Sequence, residues 1–172
     1  MLFSGNFEVK IGFSTLDNSG TLLSGSKEST DIIAMDVLSG RLRAFCFVGT
    51  SLRAVLTSTV DVNDGKLNRA KLRYIGTTAY LYLNNTLVDS STWNLTGGQD
   101  IELFGKRSGS SSFQGKILDV ELTDLDTTAN SLEFKLDKLT ENTETNNGVT
   151  LTYQNISEEV REVFTLEGTT LD

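Results

Sequence analysis

Asp61-Val62-Asn63-Asp64-Gly65-Lys66, followed by a run in which Ala70, Leu72 and Tyr74 alternate with Arg69, Lys71 and Arg73, decides how this chain is read. Asp-Gly between alternating apolar runs is a strong short-range signal of a reversal between strands. Successive side chains leave a strand on opposite faces, so the apolar set faces a core and the three cations face water. Gly76-Thr77-Thr78 reverses the chain. Ala79, Leu81 and Leu83 then line one face of the next strand with Tyr80 and Tyr82 opposite, and Asn84-Asn85 turns into Thr86-Leu87-Val88. The pattern predicts a β-meander.

The same period extends in both directions. Upstream, Phe7, Val9, Ile11 and Phe13 alternate with Glu8, Lys10 and Ser14, and Asp17-Asn18-Ser19-Gly20 reads as a turn. Thr21 to Ser24, Asp31 to Leu38, Arg41 to Val48 and Leu52 to Ser58 read as further strands. Downstream, Leu118, Val120 and Leu122 alternate with Asp119 and Glu121, and Leu132, Phe134 and Leu136 alternate with Glu133, Lys135 and Asp137. Turn signals recur roughly every eight to twelve residues, the spacing of an all-β sandwich or barrel. Beyond this pattern, Asn142 to Gly148 reads as a polar loop, Val149 to Tyr153 as a strand, Glu158 to Val163 as helical in composition, and Phe164 to Leu166 as a closing strand. The expected organisation is therefore one core over residues 1–139 with a C-terminal extension, 140–172, packed on it or linked to it.

Composition narrows the function. The 172 residues suffice for one domain with its own core. Histidine is absent, which removes Ser-His and Cys-His dyads and histidine-ligated zinc. The lone Cys46 has no intrachain disulfide partner and sits in a strand-like run, where it reads as a small buried hydrophobe. A net charge of −8 argues against nucleic acid or an anionic membrane as partner, since both select a cationic footprint. No apolar run has the length of a membrane span, and the N-terminus lacks the layout of a signal peptide.

Two spaced segments carry a family resemblance. Asn63-Asp64-Gly65 through Tyr80-Leu81-Tyr82-Leu83-Asn84-Asn85-Thr86-Leu87-Val88 is the first. The second is Ile101-Glu102-Leu103-Phe104-Gly105 with Phe113-Gln114-Gly115-Lys116-Ile117-Leu118-Asp119-Val120. Together they resemble the laminin-G-like, concanavalin-A-like lectin/glucanase superfamily, over about Phe7 to Leu136. Where many members carry Trp-His after the Asp-Gly turn, this chain has Leu67-Asn68. The resemblance implies a two-sheet antiparallel jelly-roll sandwich. The Ser/Thr/Asn/Gly-rich loops further resemble modules of bacteriophage tail fibres and bacterial surface proteins, which implies a virion tail or an extracellular surface as location.

Candidate chemistry lies on outward positions. Asp119-Val120-Glu121-Leu122-Thr123-Asp124 puts carboxylates on alternate residues of a strand, near the separation of about 5 to 5.5 Å that retaining glycosidases use. Glucanases of the resembled superfamily carry Glu-x-Asp-x-x-Glu there, whereas the identities here are exchanged, so a solvated strand face is expected. Asp61 to Gly65 is oxygen-rich but one residue short of an Asp-x-Asn-x-Asp-Gly calcium loop, and Leu72 stands where the closing glutamate belongs. Calcium at loop rims is common in the superfamily, which leaves Asp17, Asp31 and Asp64 as candidate ligands. Three sequons, at Asn84, Asn94 and Asn155, matter only in a eukaryotic secretory pathway.

The outward face with Arg69, Lys71, Arg73, Tyr80 and Tyr82 fits a sugar best, because aromatic rings pack on its C–H face while polar groups meet its hydroxyls. Trp93, in the irregular stretch Ser90 to Gly98, is either a further sugar contact or a plug at one end of the sandwich. The expected site is Tyr80, Tyr82, Arg73 and Trp93, in an all-β jelly roll without catalytic activity. The expected ligand is a glycan or cell-surface polysaccharide. The alternative is a structural interaction domain that joins copies of itself or other subunits; a glycoside hydrolase is the third reading. The expected core contains Phe7, Val9, Ile11, Leu72, Leu81, Leu83, Ile101, Leu103, Val120, Leu122, Leu132 and Phe134.

Overall fold

A computed structural model describes residues 2–3, 5–25, 31–49, 51–95, 99–100, 103–104, 113–127, 132–135, 143–146, 149–155 and 162–167. Among these residues there is no helix, and so none long and apolar enough to cross a membrane. In chain order the strands are β1 (Leu2–Phe3), β2 (Phe7–Ser14), β3 (Ser19–Ser24), β4 (Asp31–Leu38), β5 (Arg41–Val48), β6 (Ser51–Leu52), β7 (Leu56–Asp61), β8 (Asn68–Ile75) and β9 (Thr78–Leu83). They continue with β10 (Thr86–Thr92), β11 (Gln99–Asp100), β12 (Leu103–Phe104), β13 (Lys116–Asp124), β14 (Leu132–Lys135), β15 (Thr143–Asn146), β16 (Val149–Asn155) and β17 (Glu162–Glu167).

Two sheets result. One has six strands in the order β10-β9-β8-β2-β13-β14, all antiparallel. The other runs β1-β11-β4-β3-β12-β17-β16-β15, with β5 on β4 and both β6 and β7 on β5. The expected meander is β8-β9-β10. Its last turn is set by Asn84 and Asn85, both at positive φ (51° and 67°), the backbone that a two-residue hairpin needs and that asparagine tolerates.

The Asp64-Gly65 turn lies between two strands, as expected, and the strands belong to different sheets. It carries the chain from β7 in the larger sheet to β8 in the smaller one. Gly65 takes φ +76°, and the Asp64 carboxylate accepts a bond from the Lys66 amide at 3.0 Å. Buried Asn68 then ties the crossover down, its side-chain amide donating to the carbonyls of Val62 and Lys66 at 3.3 Å each.

Between the sheets lies one hydrophobic cluster. Of the expected core residues, Phe7, Val9, Ile11, Leu72, Leu81, Leu83, Val120, Leu122, Leu132 and Phe134 are all buried. Leu103 lies on β12, and Ile101 falls outside the described residues. The larger sheet contributes Leu22, Ile33, Met35, Leu42 and Cys46, the last buried as expected. Phe7 stacks on Phe3 at 4.9 Å and on Tyr74 at 5.6 Å. Each such side chain contributes about 1.5–3 kcal/mol on burial, so this cluster rather than any surface pairing holds the sheets together.

One alternation fails, and the failure matters for the site. The register of β13 on β2 shifts between Ile117, opposite Phe13, and Asp119, opposite Gly12. Ile117 is buried while Leu118, expected to face inward, is the extra residue of a bulge and only half-buried. The bulge sets Asp119 beside Gly12 on the outer face. In the C-terminal part, β17 pairs with β12 and β16, and β15 with β16. Thr143 to Asn146, expected as loop, is a strand. Of the stretch read as helical, Glu162 and Val163 belong to β17, and the remainder lies outside the described residues.

Candidate functional site

Register fixes the outer face of the six-stranded sheet. One row across the strands reads Tyr80, Arg73, Glu8 and Thr123; the next reads Leu87, Tyr82, Lys71, Lys10, Glu121 and Glu133; a third reads Arg69, Gly12 and Asp119. Aromatic side chains therefore occupy β9, cations β8, and carboxylates mainly β13 and β14. Tyr80, Tyr82 and Arg73, expected together from their alternation, do share this face, half-buried.

Most of these charges are paired, within β2 or across strands. Lys10 lies 3.0 Å from Glu121 and 3.1 Å from Glu8. Burial works against its charge, but the bonds to Glu121 and Glu8 prevail and hold its ammonium above the ordinary lysine value. Arg69 bonds both oxygens of Asp119. Arg73 meets Glu8 only at 3.7 Å, and its Nε is buried with no hydrogen-bond partner. Among the described residues Lys71 has no carboxylate partner; its ammonium lies 4.2 Å from the centroid of the Tyr82 ring. Partly exposed ion pairs contribute about 0–1 kcal/mol each, so these contacts order the face more than they stabilise the fold.

A hollow of about 260 Å³ opens among them, lined by Lys10, Arg69, Lys71, Asn85, Asp119 and Glu121 among others. Gly12 makes its wall possible. A Cβ there would stand 2.6 Å from Arg69 Nη1 and 2.9 Å from Asp119 Oδ2, so any larger residue would push that bridge out of its present place across β2. The Asn84-Asn85 turn brings Asn85 to the margin, and Asn84 fixes the turn by accepting a bond from the Arg69 amide at 2.8 Å. Of the lining residues, Arg69 and Lys71 were legible as outward cations. Lys10, Asn85 and the acidic wall were not placed in the site by sequence; the signal for them was Gly12, which interrupts the outward series Glu8, Lys10, Ser14.

Trp93 requires a correction. It is fully buried, and its indole N–H donates to the Ala54 carbonyl at 2.8 Å. Its backbone N–H bonds the Thr77 carbonyl at 2.9 Å. It plugs the sandwich and is closed to a ligand.

Two of the metal candidates, Asp17 and Asp64, lie at one end of the sandwich, whereas Asp31 starts β4, whose other end, Leu38, pairs beside that turn. Gly65 N–H donates to the Thr15 carbonyl at 2.9 Å and Asn63 to the side chain of Asn18 at 2.8 Å, which interlocks the turns carrying Asp17 and Asp64. The Asp64 carboxylate is taken up by Lys66 at 2.9 Å, and that hydrogen bond lowers its pKa. Asp31 begins β4, and its side chain lies outside the described set. Among the described residues no three acidic, cysteine or histidine side chains are grouped to hold a metal ion.

On the outer face of β13, Asp119 is engaged by Arg69 and Glu121 by Lys10.

Comparison with solved structures agrees with this architecture. A candidate carbohydrate-binding protein from Bacteroides ovatus superposes with a TM-score of 0.60 at 15% identity, covering 99% of this chain and 55% of that one. The LG1-3 region of the laminin α2 chain gives 0.58 at 15% identity, covering 86% and 32%. A CBM40 module of a Ruminococcus gnavus sialidase, solved with α2,3-sialyllactose, gives 0.51 at 16%, covering 67% and 72%. The fold is thus the laminin-G-like, concanavalin-A-like jelly roll. The chain spans 41% of a mouse laminin α1 chain with domains LG4-5, and 64% of a Limulus polyphemus pentraxin that it also resembles. No protein-family model and no curated protein matches the sequence.

Proposed function

We propose that this chain is a non-catalytic, lectin-like module that binds a glycan on the outer face of its six-stranded sheet. The observation that carries the reading is the juxtaposition of a tyrosine shelf, Tyr80 and Tyr82, with a hollow lined by both donors and acceptors. Lys71 is common to the two. A sugar ring offers an apolar face and several hydroxyls, and a few directed polar groups beside an aromatic surface match both. Carbohydrate binding by proteins of the same fold supports it: the B. ovatus protein is described as a candidate carbohydrate binder, and the sialidase module was solved with sialyllactose. In this reading the module serves adhesion or receptor binding in a bacteriophage tail or a bacterial surface assembly. A glycan array probed with the wild type and Tyr82→Ala, with and without calcium, tests it; signal retained in full by Tyr82→Ala would move the site elsewhere.

A second reading, a structural domain that joins neighbours and binds no sugar, is favoured by one end of the sandwich. Leu16, Leu67 and Leu38 are 76%, 51% and 43% exposed there, around the interlocked turns. Sedimentation of the wild type against a Leu16→Ser, Leu67→Ser double variant separates the two, since only the structural reading expects a change of assembly state.

A further inference from the structure

We infer that the site reads at least two consecutive sugar units, with the saccharide lying across the strands rather than along them; this rests on the glycan-binding reading above. Two distinct contact areas carry the inference. The first is the hollow bounded by Arg69, Lys10, Lys71 and Glu121, which is centred on β2 and reaches from Asn85 in the β9–β10 turn to Glu133 on β14. At about 260 Å³ it falls below the roughly 300–1,000 Å³ of sites that enclose a drug-sized ligand, so it takes one small ring. The second is the tyrosine shelf on β9. From β9 to the middle of the hollow at β2 is two strand spacings, about 9.5 Å. A ring seated in the hollow therefore leaves the shelf uncovered, and a ring on the shelf leaves the hollow empty.

Orientation follows from the row that joins them. Tyr82, Lys71, Lys10 and Glu121 are successive cross-strand partners, so the line from shelf to hollow runs perpendicular to the strands. Along the strand direction Tyr80 extends the shelf, while the hollow is closed on one side by the Arg69–Asp119 bridge. Lys71 stands between the two areas, its ammonium over Tyr82, where it can bond the linkage or a ring substituent of either unit. The hollow is lined by carboxylates and cations in similar number, and that favours a hydroxyl-rich ring over a strongly charged one there.

The test is a chain-length series. Gluco-, galacto-, N-acetylglucosamine and galacturonic acid saccharides of one to four units are titrated against the wild type, Tyr82→Ala and Arg69→Ala, with circular dichroism confirming that each variant is folded. The expected result, in whichever series binds, is a gain of about tenfold or more from one unit to two and little thereafter. Tyr82→Ala abolishes that gain, whereas Arg69→Ala weakens the binding of a single unit as well. Equal affinity for one unit and for two overturns the inference and leaves glycan binding standing. No binding in all four series, with folded protein, removes both.

Discussion

Lys71 and Tyr82 face each other across the β8–β9 pair, with the ammonium 4.2 Å from the ring centroid. A cation–π contact at such a half-buried position contributes about 0.5–2 kcal/mol. Tyr82→Ala should accordingly lower unfolding stability by no more than about that amount, while glycan affinity falls at least about fivefold. Urea unfolding and calorimetric titration on the same samples give both numbers; a large loss of stability with unchanged affinity would assign Tyr82 to the fold and not to the ligand.

Trp93 should behave in the opposite way. Trp93→Ala removes a fully buried ring and orphans the Ala54 carbonyl, and its expected cost is about 3–5 kcal/mol. Because it is the only tryptophan, its fluorescence also reports wild-type unfolding. Trp93→Phe, which keeps most of the volume, should lose less and bind glycan as the wild type does.

The β13 carboxylates should support no hydrolysis. Incubation with β-glucan or galactan is expected to release no reducing ends from either the wild type or Glu121→Gln. Turnover in the wild type that disappears in Glu121→Gln would restore the glucanase reading.

Lys10 gives a pH signature outside the physiological range. Its folded-state pKa is raised above the ordinary 10.5, so its contribution to stability is complete below the unfolded value and is lost as pH rises through the folded one. The difference in unfolding free energy between the wild type and Lys10→Met should be present at neutral pH and shrink once pH passes the folded-state value. Chemical denaturation at the two pH values measures it.

Calcium should be dispensable. Asp64 is committed to Lys66, and the described residues group no ligand set near it. Chelation is expected to leave both the melting temperature and any glycan signal unchanged; a drop that Asp17→Asn abolishes would place a cation at the interlocked turns.

How legible these features were depends on how many strands each one involves. The alternation of Phe7 to Phe13 or of Ala70 to Tyr74 is a property of one strand, because a one-residue slip would expose the whole apolar set. Tyr80, Tyr82 and Arg73 needed only one further step, a hairpin joining adjacent strands. The bulge at Leu118 leaves no mark, since Ile117 and Leu118 are equally apolar and only the pairing with β2 decides which turns inward. The hollow is harder still: Arg69, Gly12 and Asp119 meet from three strands far apart in sequence. Trp93 had no period to place it, and the Ala54 carbonyl that fixes it belongs to a loop that sequence does not relate to it.

The position of β2 also governs when the protein can fold. This N-terminal strand is flanked by β8 on one side and β13 on the other, so its partners are residues 68–75 and 116–124. During synthesis at about 5–20 residues per second, Phe7, Val9, Ile11 and Phe13 wait on the order of ten seconds for their second flank. Contacts so distant in sequence also slow the closing step itself. A nascent chain stopped short of Lys116 is left with a half-paired central strand and its apolar face open to chaperones, and protease resistance should emerge only in chains that reach past Asp124.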